Sequence, residues 1–199
     1  SFGAMELRGP RIWHGKDITD KQANRILNQV LDSGINLIDT SYDYGVSEEL
    51  IGKHISHRRN QYYLATKCGC RVVSRGTYDD TPHVWTRENL QNNLEKSLER
   101  VNTDHIDIWQ LHNPAVDEVL KDELIDFMEK MKYEGKVKFI GISTNLPYIL
   151  EFMKWDCFDT FQVPYSALQR EHEQIIEDLA ERNIGTIIRG GIAQGEPGR

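Results

Sequence analysis

The chain is predicted to be an α/β protein, a (β/α)8 TIM-type barrel, and three observations lead there. Short apolar runs alternate with segments of helical periodicity along all 199 residues, which implies right-handed parallel βαβ units. No G-x-G-x-x-G follows the first such run, although an open dinucleotide-binding sheet usually carries one. Nearly every apolar run also closes on a polar side chain, namely Asp39, Lys67, His112, Ser143, Gln162 or Arg189. Working residues delivered by many strand ends are the pattern of a barrel's C-terminal mouth.

The first helix is expected over residues 19–33. Ala23, Ile26, Leu27, Val30 and Leu31 share one face there, Thr19 and Gln22 make a capping-box pattern, and Gly34 ends the run. A buried strand follows at 35–38. The unit repeats with a helix at 47–55, a strand at 62–66 and a helix at 86–101 that aligns Leu90, Leu94 and Leu98. Next come a strand at 106–111, a helix at 117–133 ended near Gly135, a strand at 138–142 and a helix at 146–154. A strand at 160–163, a helix at 170–183 and a strand at 185–188 complete the series. The polar stretch 71–82 has no periodicity and reads as a long loop at the site mouth, where substrate contacts often lie. With no linker rich in Pro, Gly or Ser, residues 1–199 read as one domain. A full barrel takes ~250 residues, so either the end is missing or the barrel does not close.

Hydrophobic residues make up 39% and charged residues 28% of the chain, the balance of a soluble globular protein. No apolar stretch approaches the ~20 residues that cross a bilayer and no signal-peptide pattern opens the chain, so no membrane partner and a cytoplasmic location are expected. The net charge of −7, without a cluster of basic and aromatic residues, argues against nucleic acid as a partner. Cys68, Cys70 and Cys157 lack the spacing of a disulfide framework. The Cys68-Gly69-Cys70 pair has no second ligand pair after it, so inert thiols are expected in preference to a metal site.

The chemistry lies with Asp39, Tyr44, Lys67 and His112. A phenol of ordinary pKa, about 10, is a reluctant acid. A neighbouring ammonium favours phenolate, so Lys67 is expected to lower the pKa of Tyr44, with Asp39 holding Lys67 charged. His112 is placed to hydrogen-bond a carbonyl oxygen. Neither a G-x-S-x-G elbow nor an H-E-x-x-H metal motif occurs. Hydride from a nicotinamide would complete a carbonyl reduction without either. Taken singly, each residue has an ordinary reading: Asp39 as a turn cap, Tyr44 as a packing residue, Lys67 as a solvated strand end, His112 as a satisfied core histidine. Lys67 as a Schiff-base nucleophile is an enzymatic alternative.

The segment Gly34-Ile35-Asn36-Leu37-Ile38-Asp39-Thr40-Ser41-Tyr42-Asp43-Tyr44-Gly45-Val46-Ser47-Glu48-Glu49-Leu50-Ile51-Gly52 resembles the signature of the aldo-keto reductases. The resemblance implies that Asp39 and Tyr44 belong to that family's catalytic tetrad. Lys67 in Leu64-Ala65-Thr66-Lys67 and His112 in Trp109-Gln110-Leu111-His112 supply the other two. It also implies reduction of a small-molecule aldehyde or ketone to an alcohol with NADP(H), NAD(H) not being excluded. Ser143 in Gly141-Ile142-Ser143 and Gln162 in Phe161-Gln162-Val163-Pro164-Tyr165 resemble the residues that hold the nicotinamide carboxamide. Thr144 stands where the family commonly has Asn, with Asn145 one place later.

Gly190, Gly191 and Ile192, with Gly195 beyond, resemble the loop along the cofactor pyrophosphate, where glycines let backbone N–H groups approach an anion. Arg189 stands near the position where an aromatic often stacks on the nicotinamide, and a guanidinium can stack or bind phosphate. Phe2-Gly3-Ala4-Met5 resembles the family's first barrel strand. Its last strand and helix, which select the adenosine 2′-phosphate, have no counterpart. If Arg199 is the true end, an unclosed barrel leaves two sheet edges unpaired, so the chain is expected to aggregate or to find a partner such as a second copy in a homo-oligomer. A cofactor-binding regulatory subunit with little turnover is the alternative from a different functional class.

Overall fold

A computed structural model describes residues 1–191. The elements, in chain order, are β1 (Phe2–Gly3), α1 (Asp20–Asp32), β2 (Leu37–Asp39), α2 (Ser47–Ile55), β3 (Tyr63–Cys68), β4 (Val73–Ser74), β5 (Asp79–Asp80) and α3 (Arg87–Val101). There follow β6 (Ile106–His112), α4 (Val116–Lys121), α5 (Leu124–Tyr133), β7 (Val137–Ser143), α6 (Ile149–Phe152), β8 (Thr160–Pro164), α7 (Glu173–Glu181) and β9 (Gly185–Arg189). Seven strands pair in the order β1-β2-β3-β6-β7-β8-β9, every pair parallel. They form a nearly closed (β/α)8-type barrel, and residues of the two outermost strands, Gly3 and Ile187, line one cavity.

Local signals place the elements. The Thr19 hydroxyl accepts from the Gln22 amide at 3.3 Å while the Gln22 side chain accepts from the Thr19 amide at 3.0 Å, so both halves of the capping box form. Thr86 caps α3 through the Asn89 amide at 3.2 Å. Along the strands, Ile38, Leu64, Trp109, Leu111, Ile142 and Phe161 are buried in the apolar core. The residues alternating with them, Asp39, Lys67, Gln110 and Gln162, form one hydrogen-bonded cluster. Period-two alternation thus puts the greasy face under the helices and the chemistry inside the barrel.

Four expectations need correction. The helix expected at 117–133 is two helices, broken at Asp122 and Glu123, where Glu123 takes φ 49°. Arg87 compensates by donating to the carbonyls of Asp122 at 2.8 Å and Glu123 at 3.3 Å. The helix expected at 146–154 shrinks to α6 and a 3₁₀ turn, because Pro147 restrains the residue before it and delays the start. The stretch 71–82 is not a structureless loop: β4 and β5 pair as a hairpin, and Arg11 grips it through Asp79 at 2.9 Å and the Gly76 carbonyl at 2.9 Å. The first strand stops at Gly3, since Ala4 and Met5 enter a 3₁₀ turn. Among the described residues no helix is long and apolar enough to cross a membrane.

The hairpin is seated by Gly69, which holds φ 106° and lies against Trp85; a Cβ there would fall 2.0 Å from the indole ring. Gly69→Ala is therefore expected to cost roughly 1–3 kcal/mol through backbone strain and overpacking. Thermal denaturation followed by circular dichroism checks this, and an unchanged midpoint would refute the packing described.

Candidate active site

Register sets the site. Asp39 pairs with Ala65, Lys67 with Gln110, His112 with Ser143, and Ser143 with Gln162, so the strand ends form one rim. Tyr44 joins them from the turn between β2 and α2. Gly45 makes that turn with φ 46°, and a Cβ on it would strike the Arg8 carbonyl oxygen at 2.1 Å, so only glycine fits. Arg100 of α3 holds the same turn. Its guanidinium lies 4.8 Å over the Tyr42 ring, donates to the Tyr42 carbonyl at 3.0 Å and reaches the buried Glu48 at 3.2 Å.

The structure brings Asp39, Tyr44, Lys67 and His112 together. The Lys67 ammonium donates to Asp39 Oδ2 at 2.8 Å and to the Thr40 carbonyl at 2.7 Å, and its side chain is 1% exposed. The other Asp39 oxygen accepts from Gln162 at 3.0 Å and Gln110 at 3.3 Å. Burial acts to lower the Lys67 pKa, but Asp39 and Tyr44 outweigh it and hold the amine above its ordinary value. The ion pair to Asp39 at 2.8 Å ties up the amine and argues against the Schiff-base role.

Tyr44 overturns one expectation. Its ring is buried with Lys67 Nζ 4.9 Å from the ring centroid, yet its pKa is raised. Burial is the largest cause; Lys67 opposes it, and the carboxylates of Asp39 and Asp43 add to it. The phenol is kept protonated, because desolvation of phenolate outweighs one cation already shared with Asp39.

The sequence reading missed Asp43. This buried acid lies 3.4 Å from His112 Nδ1 and accepts from Ser41 Oγ. Its place beside Nδ1 orients the ring. Burial would raise the Asp43 pKa, but hydrogen bonds from His112, Ser41 and Cys70 outweigh it and hold the value at about 2, below the ordinary 3.8. A depressed carboxylate pKa stabilises the fold above the unfolded value and loses that contribution as pH falls through the folded value. Asp43 should therefore contribute about 2 kcal/mol at neutral pH, lost between about pH 4 and 2. Asp43→Asn should flatten the melting temperature over that window; a wild-type acid limb would contradict this.

A cavity of about 500 Å³ opens over the cluster, lined by Tyr44, His112, Asn113, Ser143, Gln162 and Arg189 among others. That volume suits a small organic ligand. Trp13, another residue without a sequence signal, stands edge-on to Tyr44 at 5.9 Å and also lines the cavity. Thr144 is buried behind Ser143, donating its amide to the Gln162 carbonyl at 3.1 Å, and is not among the lining residues. Arg189 donates to the Asn145 side chain and keeps a buried Nε without a partner among the described residues. Gly190 lines the cavity at φ 67° with open space beside it, and Gly191 follows. Ile192 and Gly195 lie outside the described residues.

An unpartnered guanidinium nitrogen, an open glycine and a row of amide and hydroxyl side chains fit a cofactor carrying both a carboxamide and phosphates. A parallel α/β barrel with a phenol and an imidazole lining a cavity at its C-terminal mouth, and a buried ammonium beside the phenol, has the arrangement of an enzyme-type site. Residues 1–196 match the model of the aldo/keto reductase family, and the chain belongs to that family of oxidoreductases.

It is 35% identical over 179 residues to the uncharacterized oxidoreductase YqkF of Bacillus subtilis, covering 87% of this chain and 57% of that protein. It is 28% identical over 207 residues to the NADH-specific methylglyoxal reductase of Escherichia coli, covering 94% of this chain and 61% of that protein. Among solved structures, the holo form of aldo-keto reductase AKR11C1 from Bacillus halodurans superposes with a TM-score of 0.85 at 31% identity, covering 98% of this chain and 62% of that one. The chain thus spans less than two thirds of the length of each of these relatives.

Proposed function

We propose that the protein reduces an aldehyde or ketone to the corresponding alcohol with NADPH, and that Tyr44 donates the proton to the carbonyl oxygen. The observation that carries this reading is geometric: Tyr44 lines the cavity with the Lys67 ammonium 4.9 Å from its ring centroid, and that ammonium is fixed to Asp39 at 2.8 Å. The nicotinamide cofactor, when bound, supplies hydride to the carbonyl carbon. As negative charge builds on the carbonyl oxygen, the Tyr44 hydroxyl gives up its proton, and Lys67 stabilises the phenolate left behind. Asp39 keeps Lys67 charged and in place, with Gln110 and Gln162 fixing Asp39 in turn. His112, oriented by Asp43, hydrogen-bonds the same carbonyl oxygen.

Ser143, Asn113 and the free oxygen of Gln162 would hold the carboxamide, with Thr144 supporting Gln162 from behind. Arg189, Gly190 and Gly191 would face the phosphates. The nicotinamide end is common to NADPH and NADH, and the Escherichia coli relative is named for NADH. The test is fluorescence titration of both cofactors, followed by turnover over a panel of aldehydes and ketones. Tighter NADPH binding with carbonyl-dependent oxidation is expected. Tighter NADH binding reassigns the reductant, and binding with negligible turnover favours a regulatory subunit.

A further inference from the structure

The mechanism leaves unused a soft-ligand cluster beside His112. Cys70 lies just past β3, His83 on the strand returning from the β4–β5 hairpin, and His112 at the end of β6. One ligand atom from each falls within 4.8 Å of the others, and Cys70 Sγ stands 3.7 Å from His112 Nδ1. Tetrahedral zinc with Zn–S ~2.3 Å and Zn–N ~2.0 Å sets its sulfur and nitrogen ligands ~3.5 Å apart, so this pair is already near coordination distance.

The frame is rigid. Cys70 and His83 face each other across an antiparallel bridge flanked by Arg71 N to Pro82 O at 2.8 Å and Val84 N to Gly69 O at 2.7 Å. Asn89 ties both sides, donating to Cys70 O at 3.3 Å and Val84 O at 2.9 Å. The Trp85 ring backs His83 at 5.4 Å. His83 is the exposed member and gives access from solvent, while Cys70 is buried and His112 partly so.

We propose that Cys70, His83 and His112 form a binding site for a thiophilic divalent cation, with Zn²⁺ as the fitting ion. One thiolate and two imidazoles are a donor set that zinc accepts, and the Asp43 carboxylate, 3.4 Å from His112 Nδ1, completes the charge balance. On binding, the Cys70 thiol proton leaves to solvent and His112 offers Nδ1 as an unprotonated ligand with its proton on Nε2. The metal takes the place of Asp43 beside Nδ1, and Cys70 Sγ already stands 3.7 Å from that nitrogen. The spacing of the cysteines could not reveal this set, because two of its three ligands come from other strand ends.

The test of binding reads out independently of turnover. Protein without a polyhistidine tag is titrated with Co²⁺, monitoring thiolate-to-cobalt charge-transfer absorption, and with Zn²⁺ by calorimetry. One metal per chain and a charge-transfer band are expected. Cys70→Ser should lose the band, and His83→Gln, on an exposed position, should weaken Zn²⁺ binding by more than the ~10–100-fold that outer-shell partners command. Absence of the band, or equal Zn²⁺ affinity in wild type and His83→Gln, overturns the site.

Discussion

Tyr44→Phe is expected to lower carbonyl reduction at least ~100-fold while cofactor affinity stays within a few-fold, since a positioned general acid contributes that much to rate. The change removes one oxygen and leaves the ring held between Trp13 and His112, with centroids at 5.9 and 6.1 Å. The loss should appear in kcat, because the proton is needed as charge develops and not for binding. Steady-state kinetics with cofactor titration checks this; undiminished kcat would remove Tyr44 from the role of donor.

Lys67→Met is expected to have the largest combined effect. It removes the cation that stabilises phenolate, so the rate should fall at least ~100-fold. It also leaves Asp39, whose side chain is 14% exposed, with only the amides of Gln110 and Gln162 as side-chain partners. Breaking a buried ion pair from one side costs about 3–5 kcal/mol, because the remaining charge is uncompensated. The double change Lys67→Met with Asp39→Asn should recover much of the stability and none of the activity. Thermal melts and kinetics on the three proteins separate the two effects. A Lys67→Met protein as stable and as fast as wild type would contradict the ion-pair account.

The fold was legible where local rules and burial agree. The Thr19 cap, α2 at Ser47–Ile55 and the alternation of Leu64 with Lys67 follow from spacing alone. So did the convergence of the polar strand ends, since parallel register carries them to one rim. Pairings between distant segments were not legible. Asp43 meeting His112, Gln110 reaching Asp39, and Cys70 meeting His83 depend on which strand ends lie side by side. The pKa direction of Tyr44 failed for a related reason: proximity to Lys67 was readable, but the depth of burial that outweighs it was not. The break at Glu123 depends on Arg87, which reaches it from another helix.

The central claim is that this cavity delivers hydride and proton to one carbonyl group. The most direct measurement is the fate of deuterium when the protein turns over an aldehyde with nicotinamide cofactor deuterated at C4. The account predicts deuterium on the carbinol carbon of the alcohol, with the label transferred from one face of the nicotinamide and the product lost in Tyr44→Phe. Alcohol without deuterium, or an equal yield from Tyr44→Phe, would contradict it.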